Sequence, residues 1–296
     1  MAHQLRFLAM TLPIRPWDEL LRRYRHIEEL GFDLAGFADH FVRWDGVPGP
    51  WFEGWSLLAA IAAQTSRIRL ATWVMQIPLR NPALLARQAL TVDHISNGRL
   101  ELGLGIGVTT DPSCAMMGLP NWDYPERVAR FKEYVEIVDR LLSNEVTTYQ
   151  GRYYQVDAAV MDPRPIQRPR PPIVIAANGP IMLRRAVELA DNWNTASYAE
   201  SFAEQIAETR ERIRLIDAHC ARIGRDPATL RRSYLILVGD RAYDSKESFT
   251  DMAERLIDLG ISEIGIGYPA RPERLALFEQ VAHEAIPELK ARYASP

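Results

Sequence analysis

The stretch "IRLATWVMQIPLRNPALLARQALTVDHISNGRLELGLGIG", residues 68–107, sets two apolar runs on either side of one amphipathic segment. The first run, 68–75, reads as a strand. Asn81-Pro82 then supplies a helix cap followed by a first-turn proline, which costs no hydrogen bond there. Leu85, Ala89, Val92 and Ile95 recur at the spacing of one helical face, and Asn97-Gly98 ends the helix. The second run, "RLELGLGIG" (99–107), is again a strand. Strand, helix and strand together make one repeat of a parallel βα fold.

Working outward, the same repeat recurs along the chain. "LRFLAM" (5–10) precedes a helix with Trp17, Leu20, Leu21, Tyr24, Ile27 and Leu30 on one face, stopped by Gly31. "LAGFA" (34–38) precedes a helix near 55–64. Further strands are "IVIAA" (173–177), "NWNTA" (192–196), "YLILVG" (234–239) and "EIGIG" (263–267). Helices follow them at roughly 180–190, 200–222, 246–259 and 271–290. Eight strands, each followed by a helix, predict an α/β fold: a single (β/α)8 TIM barrel spanning 1–296. A doubly wound open sheet is the alternative, but eight consecutive repeats without an extra domain favour closure.

The connection after the fourth strand is long, about 108–170. It holds a helix with Val128, Phe131, Val135, Val138 and Leu142 on one face, a hairpin around Gln150-Gly151, and the rigid "DPRPIQRPRPP". An insertion of this size suits a lid or a dimer contact.

The chain has 296 residues, 47% hydrophobic and 25% charged, with a net charge of -3. That balance suits a large buried core and argues against a nucleic-acid groove or a membrane surface. No apolar stretch approaches the roughly 20 residues of a membrane span, and no basic leader precedes an apolar core at the start. Cys114 and Cys220 have no metal spacing and read as reduced structural thiols, so a cytoplasmic protein is expected.

Barrel enzymes carry their reactive groups at the C-terminal ends of strands. The second strand ends in Asp39-His40. The third offers Thr72, Trp73, Met75 and Gln76; the fourth Gly103, Gly105 and Gly107; the fifth Ala176, Ala177, Asn178 and Gly179; the sixth Asn194 and Thr195. A Schiff-base aldolase needs a lysine there, but Lys132, Lys246 and Lys290 all fall in predicted helices. The six histidines are scattered singly, without metal-ligand spacing, so no metal is expected. A glycosidase needs two acids at strand ends, and Asp39 is the clearest one present. The mouth therefore reads as low in charge and rich in glycine, alanine and tryptophan, a surface suited to a flat cofactor ring. Asn178-Gly179 turns into a helix opened by Pro180, whose backbone N–H groups suit a phosphate, with Arg184 and Arg185 one turn on.

In order and spacing, "EELGFDLAGFADHF", "SRIRLATWV", "RNPALLARQALTVDHISNGRLELGLGIG", "GRYYQV", "PRPIQRPRPPIVIAANGP" and "RRAVELADNWN" resemble the luciferase-like monooxygenase superfamily. The resemblance spans nearly the whole chain and implies either FMN or its deazaflavin analogue, coenzyme F420. "DHFVRW" and "AANGP" are similar to the F420-dependent branch. There the resemblance implies that Asp39 contacts the deazaflavin, His40 is the acid or base, and the Asn178-Gly179-Pro180 turn meets the phosphate. It further implies cofactor contacts at Thr72, Trp73, Val74, Gln76, Gly105, Gly107 and Ala177. A non-proline cis peptide is expected within "TWVM".

The glucose-6-phosphate dehydrogenases of that branch have an acid just past the fourth strand, where this chain has Val108. The loop "TASYAESF" supplies no lysine for a sugar phosphate. Trp44, Trp51, Trp55, Trp73 and Met116 or Met117 stand instead, so Trp44, Trp51 and Met116 are expected to line an apolar substrate pocket. The expected activity is hydride transfer between F420 and a small organic substrate, in a homodimer or higher homo-oligomer. His40 would exchange the accompanying proton, since an imidazole does so near neutral pH. Asp39 would orient the ring system or the imidazole. The alternatives are an FMN-dependent monooxygenase and a non-catalytic flavin-binding protein.

Overall fold

The computed structural model describes residues 3–236 and 243–294. In chain order the barrel elements begin β1 (Arg6–Met10), α1 (Trp17–Glu29), β2 (Leu34–Asp39), α2 (Gly54–Ala62), β3 (Arg69–Gln76), α3 (Pro82–Ile95) and β4 (Leu100–Gly105). The insertion follows as α4 (Ser113–Met116), α5 (Tyr124–Ser143), β5 (Val146–Gln150) and β6 (Gln155–Val160). The barrel resumes with β7 (Ile173–Ala176), α6 (Pro180–Leu189), β8 (Asn192–Thr195), α7 (Phe202–Ile223), β9 (Arg231–Leu235), α8 (Lys246–Asp258) and β10 (Glu263–Gly267). It ends with α9 (Leu275–Gln280) and α10 (Ile286–Arg292), joined by a π-helical turn.

The eight barrel strands close in the order β1-β10-β9-β8-β7-β4-β3-β2. The expected parallel (β/α)8 barrel is the observed one, and the open sheet is excluded. Burial explains the strand composition: every residue of β2 and β4 is buried, as parallel strands covered on both faces require. Local signals set the helix ends. Asn81 accepts from Ala83 N at 2.8 Å to start α3, Asp123 accepts from Glu126 N to start α5, and Ser201 and Glu204 form a capping box on α7. The expected hairpin is β5–β6, antiparallel.

Two expectations shift. The strand expected at 234–239 starts at Arg231, because its first residues, Arg231 and Arg232, are charged and half-buried and so hid it from an apolar search. Residues 237–239 of that expectation lie outside the described residues. The helix expected over 271–290 is broken into pieces, with Pro287 at the start of α10 and the π-helical turn Val281–Ala285 before it. A proline ring cannot donate to the preceding turn, and the wider turn accommodates it.

By contacts the chain divides into two compact units. In the unit made of 1–11, 25–36 and 175–296, Phe7 lies against Phe249 and Phe32 stacks on Phe278 at 5.2 Å. In the unit made of 12–24 and 37–174, Phe131, Tyr134, Val135 and Val138 of α5 are fully buried. Within β3 the Trp73–Val74 peptide is cis, inside the "TWVM" run expected to hold it, and the β3–β4 register shifts between Ala71 and Met75. No described helix is long and apolar enough to cross a membrane.

Candidate active site

β2 delivers Asp39 and His40 at its C-terminal end. Trp51 donates its indole N–H to the His40 carbonyl at 2.6 Å, which fixes the start of the loop. The Trp44 and Trp51 rings lie 5.6 and 5.7 Å from the imidazole, Trp51 edge-on. Nδ1 of His40 is 2.5 Å from Oδ2 of Asp111, which also accepts from Nε2 of Gln76 at 2.7 Å. The other Asp111 oxygen accepts from Ser113 N at 2.7 Å, and Ser113 Oγ accepts from Phe41 N at 3.1 Å. Asp111 thereby clips the loop after β4 to the loop after β2. Burial pushes its carboxyl up, but hydrogen bonds from His40, Ser113 and Gln76 outweigh this and hold it well below the usual carboxylate range.

Asp39 is committed elsewhere. It is 1% exposed, and both its oxygens accept from Arg80, which also bridges to Glu53 at 2.6 Å. Burial drives the Asp39 carboxyl up against the pull of Arg80. Glu53 in turn caps α2, accepting from Trp55 N and Ser56 N. Gly54 sits so close to Asp39 and Phe37 that a Cβ there would lie 2.7 Å from an Asp39 oxygen.

The β4 glycines do not leave an open floor. A Cβ on Gly103 would lie 2.0 Å from Thr72 O, on Gly105 2.8 Å from a Val74 methyl, and on Gly107 2.2 Å from Gln76 Oε1. They make room for Thr72, Val74 and Gln76. Thr72 also links the strands, donating to Gly103 O and accepting from Gly103 N. Val74 stays partly accessible in the otherwise buried centre of β3, and beside it the buried Trp73 indole N–H has no acceptor among the described residues. Gly107 has φ +72, a region that favours glycine, and its Cβ position is also 2.6 Å from Arg127. Arg127 is fully buried and donates to Trp122 O, Ile106 O and Asn121 Oδ1. Gly107→Ala is expected to cost about 1–3 kcal/mol in urea unfolding, because the crowded Gln76 and Arg127 are both held.

In the other unit, Trp193 Nε1 donates to Ala177 O at 2.8 Å and Thr195 Oγ1 donates to Asn178 Oδ1 at 2.7 Å. Gly179 is the N-cap of α6 and, being glycine, supplies no side-chain cap, and Pro180 follows. Arg185 pairs with Glu188 along the helix rather than pointing back to the turn.

His40, Trp44, Trp51 and Gln76 thus come together as one group, and Met116 stands exposed at the end of α4. Three expectations change. The mouth is not low in charge: Glu53, Arg80, Asp111 and Arg127 join Asp39 there, and none of the four was among the candidates. Asp39 does not orient the imidazole; Asp111 meets its Nδ1, with the Gln76 amide beside them, while Arg80 takes Asp39. The loop after β4 does bring an acid to the site, three residues beyond Val108. "DPS" (111–113) is the local signal for Asp111, a side chain able to cap the short α4.

Residues 2–275 match the family described as luciferase-like monooxygenase. Among curated relatives, an F420-dependent glucose-6-phosphate dehydrogenase of Amycolatopsis mediterranei is 34% identical over 56% of this chain and 49% of its own. One of Intrasporangium calvum with the same name is 33% identical over 64% of this chain and 57% of its own. The chain spans about half the length of the curated relatives it matches. The fold is similar to a coenzyme F420-dependent tetrahydromethanopterin reductase from Methanopyrus kandleri, with TM-score 0.79 and 20% identity over 97% of this chain and 99% of that one. It is likewise similar to an F420-dependent secondary alcohol dehydrogenase holding an F420-acetone adduct, with TM-score 0.82 and 18% identity over 95% of this chain and 100% of that one.

Proposed function

Because the chain belongs to the luciferase-like monooxygenase family, we propose that it is an oxidoreductase working with coenzyme F420 on a small, apolar organic substrate. The names of the relatives favour the deazaflavin over FMN. The observation that carries the reading is the His40 imidazole, held at the end of β2 through Nδ1 and flanked by two tryptophans. Residues around β3 suit a flat heterocycle with polar edges. The buried Trp73 N–H lacks an acceptor among the described residues, and Val74 offers a partly accessible apolar surface. We assign cofactor contacts to Thr72, Trp73, Val74 and Gln76, and to Gly105 and Gly107 through their backbone, since β3 side chains fill the space beside their Cα atoms. For Ala177, Asn178, Gly179 and Pro180 we propose phosphate binding, on the uncapped start of α6.

When bound, the deazaflavin supplies hydride transfer. The chain's own part is to hold and move one proton. His40 Nε2 gives a proton to a substrate oxygen in reduction, or takes it from an alcohol in oxidation. Trp44 and Trp51 shield the imidazole from water and flank the substrate. Phe41, Trp44, Phe52 and Met116 are 52%, 44%, 42% and 55% exposed, in the loops after β2 and β4, and favour an apolar partner. The loop after β8 has no lysine for a sugar phosphate.

Fluorescence titration of the apoprotein with F420 and FMN in parallel tests the cofactor. F420 is expected to bind at least about tenfold more tightly, a difference of about 1.4 kcal/mol. Tighter binding of FMN overturns the reading.

A further inference from the structure

We propose that Asp111 is the positioning residue of this site: it fixes the neutral His40 ring with its proton on Nδ1, so that Nε2 is the nitrogen that exchanges a proton with substrate. Nδ1 of His40 has two polar neighbours, Gln76 Nε2 at 2.8 Å and the closer, charged Asp111 Oδ2, and the closer one decides the arrangement. Oδ2 of Asp111 lies 2.5 Å from Nδ1 of His40 and 2.7 Å from Nε2 of Gln76. If Nδ1 carried the lone pair, two acceptors would face each other at that distance. A protonated Asp111 would relieve them, but Ser113 N and the Gln76 amide both donate to this carboxyl and favour its charged form. The proton therefore sits on Nδ1, and a single carboxylate oxygen accepts from both His40 and Gln76.

The carboxylate is itself immobilised. Its second oxygen is taken by Ser113 N, and Ser113 Oγ ties the same turn to Phe41 N, beside His40. Gln76 cannot swing away, because its Oε1 fills the space that Gly107 leaves open. Asp39, one residue before His40, is engaged by Arg80 and is not placed to substitute. When Nε2 takes a proton, the resulting imidazolium has a fixed negative partner at Nδ1, and Asp111 keeps its charge throughout. A carboxylate behind the imidazole in this position both selects the tautomer and stabilises the charged ring.

The proposal rests on His40 acting on a proton, as in the function proposed above, so its test has one readout that needs neither cofactor nor turnover. The native chain and Asp111→Asn are labelled with 15N-histidine, His40 is assigned by its loss in His40→Gln, and the tautomer of the neutral ring is read by long-range 1H–15N correlation. The native His40 is expected protonated on Nδ1, and Asp111→Asn is expected to shift the population toward the Nε2-protonated form. A native ring protonated on Nε2, or a tautomer unmoved in Asp111→Asn, overturns the proposal. In turnover, Asp111→Asn is expected to lose about 10²-fold in kcat with KM and cofactor affinity within a few-fold, and Asp111→Glu to recover part of it. A purely structural role for Asp111 would lower the melting temperature and leave the tautomer alone, which counts against the proposal. Should Asp111→Asn fail to fold, the native tautomer and Asp111→Glu still decide. A native Nδ1–H tautomer in a chain that shows no turnover with F420 would leave the role of Asp111 standing and sink the proposed function instead.

Discussion

His40→Ala is expected to bind F420 with nearly native affinity and to turn over about 10²–10⁴ times more slowly. The imidazole touches Asp111, Gln76, Trp44 and Trp51, and none of these needs it to keep its place. Asp111 keeps Ser113 N and Gln76 as donors, while Trp51 donates to the backbone carbonyl of residue 40, which alanine retains. The loss should therefore fall on proton transfer rather than on folding or cofactor binding. Stopped-flow measurement of cofactor reduction or reoxidation with a saturating substrate separates the two. Native turnover in His40→Ala would remove the residue from the mechanism. A variant that no longer retains F420 would move His40 from the reaction to cofactor binding.

Arg80→Met is expected to destabilise the chain by about 3–5 kcal/mol. Asp39 is 1% exposed, and Arg80 is the cation that meets both of its oxygens. Methionine fills much of the volume but leaves a carboxylate buried beside Phe37 and Gly54 with no positive partner, so the cost is desolvation rather than a lost contact. The Arg80–Glu53 pair contributes far less, because Glu53 is 49% exposed and water screens it. Adding Asp39→Asn to Arg80→Met removes the stranded charge and should recover a large part of the loss. Equilibrium urea unfolding of the single and double variants checks this. Equal stability of native and Arg80→Met chains would show that Asp39 is protonated in the native state and that the pair is not what holds β2 to the turn after β3.

The elements and their order are written in local chemistry, and so they were legible. Asn81-Pro82 starts a helix and Asn97-Gly98 stops one wherever the segment lies, because caps and turns act within a few residues. Repetition of such units implies a closed parallel sheet, and closure places reactive groups at strand ends. That logic points to His40 and Gln76 as candidates at the ends of β2 and β3, whereas Trp44 and Trp51 enter through the family resemblance. The apolar pattern places the start of β9 three residues late because that start is charged, and apolar periodicity is blind to strand residues that are not buried.

Which side chain meets which was decided only by the tertiary structure. Asp111 reaches His40 across 71 positions, and Arg80 reaches Asp39 across 41, through loops whose paths no spacing rule specifies. The β4 glycines illustrate the same limit. Their composition suggests a bare floor for a ligand, yet each space is filled by Thr72, Val74 or Gln76 of the neighbouring strand. A sequence records that a side chain is missing, but only packing decides what enters the gap. Periodicity thus determines the barrel because backbone hydrogen bonding and burial repeat along the chain. The partner of His40 depends on two loops and the end of β3 converging once, and that convergence exists only in the folded molecule.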